Sequence, residues 1–197
     1  MTFVLGLTGS IGMGKSTTSQ MFADLGIPVW DADAVVHKLY APDGPAPKAL
    51  EARFPGTIRP DGHVDRDALR ALIAKDSTVL DQINAIVHPM VARNRAEFLK
   101  VAQGVVVLDV PLLFETGLDE QCDKVAVVTV DAETQKRRVL ERGTMTEQDL
   151  ENILSRQMPD AEKQERADFI IVTDTLEHAK AQVQAILREI QKDLPDA

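Results

Sequence analysis

Eight consecutive residues, Gly9-Ser10-Ile11-Gly12-Met13-Gly14-Lys15-Ser16, fit the pattern G-x-x-x-x-G-K-[ST] and run on into Thr17. Each part has a chemical reason. Glycines let the backbone turn through positive φ, so that successive N–H groups converge on phosphate oxygens. A helix beginning near Lys15 aims its positive dipole end at the same anion. Lys15 reaches the β- and γ-phosphates, and the Ser16 hydroxyl is placed to coordinate Mg²⁺. The loop follows an apolar stretch and precedes an amphipathic one, the strand–loop–helix context that it requires. It reads as a binding site for a nucleoside triphosphate.

The loop alone does not separate kinases, motor ATPases and GTPase switches. A guanine-specific Asn-Lys-x-Asp is absent, and no Asp-x-x-Gly occurs, which argues against the GTPase reading. A second apolar run ends in Asp31-Ala32-Asp33, at the carboxyl edge where α/β proteins bind ligands. A carboxylate there can take a proton from an attacking hydroxyl, as a kinase base does, or it can cap the following helix. A third run ends in Asp109, either the acid behind a Mg²⁺ hydration shell or a surface or capping residue. Leu112, Leu113 and Phe114 behind it suit either core or substrate wall. Lys136, Arg137, Arg138 and Arg142, with Arg156 further on, form a basic cluster in an otherwise acidic chain. They suit a lid over transferring phosphate, or a solvated helix face partnered by Glu133, Glu141 and Glu147.

These residues need a scaffold, and five short apolar runs supply one: Phe3–Leu5, Ile27–Trp30, Val105–Leu108, Val125–Val130 and Phe169–Val172. Each reads as a strand buried on both faces, the pattern of a parallel sheet. Helical stripes alternate with them. They are Met21, Phe22 and Leu25; Leu69, Leu72 and Ile73; Leu80, Ile83, Ile86 and Val87; and Val183, Ile186, Leu187, Ile190 and Leu194. Asp174 followed by Glu177 predicts a cap for the last helix. The order implies an α/β fold with right-handed crossovers. About seventy residues separate the second and third strands, far more than one crossover needs. A helical insertion over approximately 35–95 is expected there, opened by the turn-rich Ala41–Pro47. The charged stretch over approximately 134–166 is expected to be helical, broken at Gly143, and to act as a lid. All of this fits one domain, residues 1–197.

Composition sets outer bounds. The 197 residues carry 22 Lys+Arg against 31 Asp+Glu, a net charge of −9, which argues against a nucleic-acid-coating surface. Cys122 is the one cysteine, so an internal disulfide or a multi-cysteine zinc site is excluded. No apolar run approaches the roughly 18 residues of a membrane span. The start MTFVLGLTG lacks the basic lead-in of a signal peptide. A cytoplasmic protein with small-molecule substrates, and without membrane or nucleic-acid partners, is expected.

The motifs, taken in order, resemble the dephospho-coenzyme A kinase family. The resemblance rests on Leu7 to Ser16, Leu25-Gly26-Ile27, Asp31-Ala32-Asp33, Asp61-Gly62, Asp65-Arg66 and His88-Pro89. It continues through Pro111-Leu112-Leu113-Phe114-Glu115, Gln135 with Arg138 and Arg142, Arg156-Gln157 and Ala167-Asp168. It implies a P-loop fold like that of nucleoside monophosphate kinases, with a five-stranded parallel sheet flanked by helices, a helical acceptor-binding region and a lid. It also implies phosphoryl transfer from ATP, with Mg²⁺, to the ribose 3′-hydroxyl of dephospho-CoA. By position, Gly9, Ile11, Gly12, Met13, Gly14, Lys15, Ser16 and Thr17 would hold ATP, and Ser16 the metal. Asp33 would be the leading base with Asp31 second, and Arg138 and Arg142 would clamp phosphates. Thr8, His88, Leu113, Phe114 and Glu115 would line the acceptor side.

The chain departs from the family pattern in two places. Ser10 and Met13 stand where Gly and Ser are common. Both are spacer positions, so phosphate binding is expected to survive, although Ser10 would tolerate positive φ less well than glycine. Thr173-Asp174-Thr175 replaces an Asn-x-Gly turn near the adenine, so the adenine contacts are expected to differ. A nucleotide-sensing module would share the loop but leave Asp31, Asp33 and the arginines without a task.

Overall fold

The computed structural model describes residues 2–193. The five apolar runs are strands β1 (Thr2–Thr8), β2 (Val29–Asp31), β3 (Gly104–Asp109), β4 (Lys124–Thr129) and β5 (Phe169–Val172). They form one five-stranded sheet in the order β2-β3-β1-β4-β5, with β1–β3, β1–β4 and β4–β5 paired in parallel. In β3 the five residues from Val105 to Asp109 are buried without alternation, as are Val125 to Thr129 in β4. Cover over both faces of a parallel sheet produces that pattern.

The helices are α1 (Lys15–Asp24), α2 (Ala32–Leu39), α3 (Ala46–Arg53), α4 (Arg66–Lys75) and α5 (Thr78–Val101), then α6 (Ala132–Glu141), α7 (Glu147–Leu154), α8 (Asp160–Arg166) and α9 (Leu176–Asp193). Contacts divide the chain into two compact units. One comprises the chain up to Trp30 and from Ala102 onward, and the other is Asp31–Val101.

The strand order determines where the first unit can bind a ligand. The chain leaves β1 toward β2 on one side of the sheet and leaves β3 toward β4 on the other. The crevice beyond the carboxyl ends of β1 and β3 is therefore the switch point at which α/β sheets receive ligands. Leu7 pairs with Asp109 at that edge, and the glycine-rich loop leaves β1 immediately beyond it. Beneath it, Phe22 of α1 and Val183, Ile186 and Ile190 of α9 pack with Leu5 and Leu7 in one buried cluster. Phe22 is fully buried, so α1 is anchored to the sheet just below the loop.

The second unit has its own core. Helices α2, α3 and α4 each pack on α5, with Leu50, Phe54, Leu69, Ile83 and Val87 buried. Ile58 and Val64 form an antiparallel bridge that folds the segment between α3 and α4 into a short hairpin.

Three expectations are corrected. Leu25 is not part of the α1 stripe: the helix ends at Asp24, Gly26 turns the chain at φ +80°, and Leu25 is exposed. Leu80 is likewise exposed, in the first turn of α5. The cap of α9 is Thr175 rather than Asp174. Its Oγ1 accepts from His178 N at 3.1 Å, while Asp174 Oδ1 accepts from Thr175 N at 2.7 Å. Leu194 lies outside the described residues. The concern over Ser10 disappears, because positive φ among the described residues is confined to glycines.

Phe22→Ala should lower stability by about 3–5 kcal/mol, the usual loss for a fully buried phenylalanine. Urea unfolding measures it, and a loss below about 1 kcal/mol would contradict the anchoring of α1.

Candidate active site

The loop between β1 and α1 is shaped by close contacts that only glycine allows. A Cβ on Gly9 would lie 2.7 Å from the Val128 carbonyl oxygen, and one on Gly12 would lie 2.5 Å from Val139 Cγ2. Gly14 adopts φ 95° at the N-cap of α1 and brings no side-chain cap. In contrast, Asp31, Asp65, Asp131 and Thr146 cap α2, α4, α6 and α7 through their side chains. The first turn of α1 also lacks an acidic residue. Its N–H groups and dipole end are thus left for an anion.

The rest of the loop is fastened from outside. Gln135 Nε2 donates to the Ile11 carbonyl at 2.7 Å, and Ile11 N donates to Gln157 Oε1 at 3.4 Å. The Thr173 hydroxyl donates to the Met13 carbonyl at 2.7 Å. The Met13 sulfur accepts from Val130 N at 3.2 Å, so this departure from the family pattern is a buried packing residue. Sequence reasoning did not give these fastening residues a role. For Thr173 the available signal was a small hydroxyl residue directly after an apolar strand, at the ligand-binding edge.

A cavity of about 330 Å³ opens beside the loop. Gly12, Gly14 and Thr17 line it at the loop, Arg138 and Arg142 come from α6, and Asp174 and Leu176 follow β5. Arg138 Nη1 donates to Thr173 Oγ1 at 3.0 Å and Nη2 to the Thr173 carbonyl at 2.6 Å, which fixes the guanidinium in the wall. The basic cluster therefore divides. Lys136 pairs with Glu147 and Arg137 with Glu141 on the solvated face, while Arg138 and Arg142 line the cavity. Asp174 holds its proton less tightly than an ordinary carboxyl group, chiefly through its hydrogen bond with His178 and then that from Thr175 N.

The Lys15 ammonium pairs with Asp109, which is almost wholly buried at the end of β3. Ser16 and Thr17 are exposed in the first turn of α1. The described residues contain no group of three or more His, Cys, Asp or Glu able to hold a metal by themselves. Mg²⁺ does not require one, since it is usually bound through one or two protein oxygens together with substrate phosphates. The Ser16 hydroxyl and the Asp109 carboxylate fit that donor set.

The acidic pair also separates by structure. Asp31 is the N-cap of α2, and its Oδ1 accepts from Ala34 N at 2.9 Å. Asp33 is exposed in the first turn of the same helix. The residues matched to the acceptor side lie in varied settings. Thr8 is fully buried and donates to the Pro111 carbonyl at 3.1 Å. Leu113 is fully buried and packs over Gly6. Both are buried within the fold. His88 is exposed on α5, directly before the helix-internal Pro89.

Phe114 and Glu115 fasten the end of the charged segment to the loop after β3. Arg166 lies over the Phe114 ring at 4.5 Å and pairs with Asp119 at 2.9 Å. Glu115 Oε1 accepts from Met158 N at 2.8 Å and lies 3.1 Å from Nζ of Lys163, a lysine with no exposed surface. Glu115→Ala would leave that ammonium buried without its counter-ion and should cost about 3–5 kcal/mol. Glu115→Leu combined with Lys163→Met should recover most of the loss. Denaturant unfolding reads both, and a loss below about 1 kcal/mol for Glu115→Ala would contradict the pairing.

The family model described as dephospho-CoA kinase (CoaE) matches residues 3–178. Proteins named dephospho-CoA kinase from Jannaschia sp. and Ruegeria pomeroyi are each 55% identical over 192 residues. Those alignments cover 96% and 97% of this chain and 98% and 97% of the relatives. Among solved structures, TT1252 from Thermus thermophilus superposes with a TM-score of 0.84 at 29% identity, covering 98% of each chain. Dephospho-CoA kinase from Campylobacter jejuni shares the fold, with a TM-score of 0.71 at 23% identity over 98% of this chain and 99% of its own. On a family match spanning most of its length, and on these relatives, the chain belongs to the dephospho-CoA kinase family.

Proposed function

We propose that this protein transfers the γ-phosphoryl group of ATP to the ribose 3′-hydroxyl of dephospho-CoA, giving coenzyme A and ADP, in the cytoplasm. The observation that carries the reading is the uncapped, glycine-shaped loop at the switch point, in a chain 55% identical to proteins named dephospho-CoA kinase. On this reading the first unit holds the nucleotide and Asp31–Val101 receives the acceptor, with α6 and α7 closing as the lid.

The loop amides and Lys15 bind the β- and γ-phosphates, and Lys15 neutralises charge spreading over the transferring oxygens. Ser16 and Asp109 would hold Mg²⁺, which would supply Lewis-acid stabilisation of the charge on the phosphates. Arg142 and Arg138 add fixed positive charge along the same cavity. Asp33 orients the acceptor hydroxyl and accepts its proton. Asp31 supports this by starting α2, since its carboxylate is occupied by the Ala34 N–H. Closure of the charged helices would exclude water and suppress ATP hydrolysis.

A coupled assay of ADP release tests the reaction. ADP should form with dephospho-CoA and not with AMP, CMP or dTMP. ADP release independent of dephospho-CoA would contradict the proposal. Lys15→Ala should lower turnover at least about 100-fold, the scale of a lost electrostatic donor. Asp33→Asn should lower kcat by about 10²–10⁴ with the KM for ATP kept. Asp31→Asn should remain within a few-fold of the parent, because asparagine caps helices nearly as well. If Asp31→Asn carries the large loss instead, the base is Asp31.

A further inference from the structure

The unit Asp31–Val101 contains a cavity of about 350 Å³ with polar groups on two sides. Asp33, His37 and Tyr40 follow at i, i+4 and i+7, on one face of α2 and its C-cap. Arg59, His63 and Arg66 come from the hairpin and the start of α4. Backbone bonds fix these walls. Arg59 N donates to the His63 carbonyl at 2.8 Å, Gly62 N to the Arg59 carbonyl at 2.9 Å, and Val64 N to the Tyr40 carbonyl at 3.0 Å. Gly62, at φ +85°, makes the turn that returns His63 toward Arg59.

The arginines in this cavity are not held in close ion pairs, although, behind the bond from His63 N–H, the charge of Arg59 reaches Asp61 and helps to keep that carboxyl below its usual range. Arg70, Arg93, Arg137 and Arg166 each have a carboxylate within 4.0 Å. Among the described residues neither Arg59 nor Arg66 forms an ion pair, in a chain whose net charge is −9. Arg66 occupies the first position of α4, where the helix dipole disfavours a cation. Its guanidinium lies over the Tyr40 ring at 5.3 Å, which holds the fork in place. Burial pushes the Tyr40 phenol above its usual range, against the opposing charge of Arg66, so a neutral O–H donor faces the same space. Two guanidinium groups and a phenol around one cavity suit a doubly charged, oxygen-rich group.

We infer that this cavity binds the diphosphate of the acceptor, with Arg59 and Arg66 on its oxygens, and so delivers the adjoining ribose to Asp33. The inference rests on the acceptor proposed above, in which a diphosphate joins the adenosine to the rest of the molecule. Calorimetric titration without ATP tests it, using the parent protein, Arg59→Ala and Arg66→Ala against dephospho-CoA and against adenosine, which lacks the diphosphate. Each variant should bind dephospho-CoA about 10- to 100-fold more weakly, the scale of a charge-assisted hydrogen bond. Adenosine binding and the KM for ATP should stay within about twofold of the parent, a split that general loss of structure would not produce. Arg59→Gln, which keeps the bulk of the hairpin, serves if Arg59→Ala fails to fold. Unchanged dephospho-CoA affinity in the variants, alongside normal ADP release by the parent, overturns the inference and leaves the reaction standing. Arginine-dependent dephospho-CoA binding without ADP release supports the cavity's role and overturns the proposed reaction.

Discussion

Phosphate binding requires backbone N–H groups that are held in place and yet remain unspent, two conditions that ordinarily conflict. Side chains satisfy the N-termini of α2, α4, α6 and α7, at Asp31, Asp65, Asp131 and Thr146, while α3 and α8 start behind prolines. At α1 the cap is Gly14, which positions the turn without filling it. Rigidity is supplied instead by groups that hold the loop through its carbonyls and its packing. Gln135 holds the Ile11 carbonyl, Thr173 holds the Met13 carbonyl, and Gly9 rests against Val128. Such an arrangement costs little reorganisation when a triphosphate arrives, which is how fixed dipoles become effective in catalysis.

Several acids and bases in the molecule are similarly divided between holding and acting. Asp31 starts a helix, whereas Asp33, two residues on, is left exposed. Arg138 is bound to Thr173 in the cavity wall, whereas Lys136 and Arg137, its neighbours in sequence, pair with glutamates at the surface. Glu115 belongs to a motif the resemblance assigns to the acceptor, yet its carboxylate meets buried Lys163 and the Met158 N–H. The charged segment is thus fastened at both ends, near α8 through Glu115 and at α6 through Gln135 and Arg138, with α7 between them.

Much of this was legible in the residues because the signals were local. Five β-rich apolar runs became five strands, since a strand buried on both faces must be apolar throughout. The P-loop was legible because its glycines, lysine and serine are consecutive. Long-range bonds were not. Thr173 meets Met13 across 160 positions, and Glu115 meets Lys163 only because the loop after β3 meets α8. The end of α1 before Leu25 and the cap at Thr175 rather than Asp174 each differ by a single position, where several side chains compete for one turn. Arg59 and Arg66 gave no sign in sequence of sharing a cavity with Asp33; a short hairpin brings them together.

The loop after β1 holds its amides ready because Thr173 and its neighbours brace it. Calorimetric titration of magnesium ATP into the parent protein and into Thr173→Val measures that directly, since valine keeps the bulk and removes the hydroxyl. Loss of the bond to Met13 and of the one from Arg138 should weaken ATP binding about tenfold, with the unfolding transition still cooperative. Undiminished ATP affinity in a folded Thr173→Val protein would contradict the account.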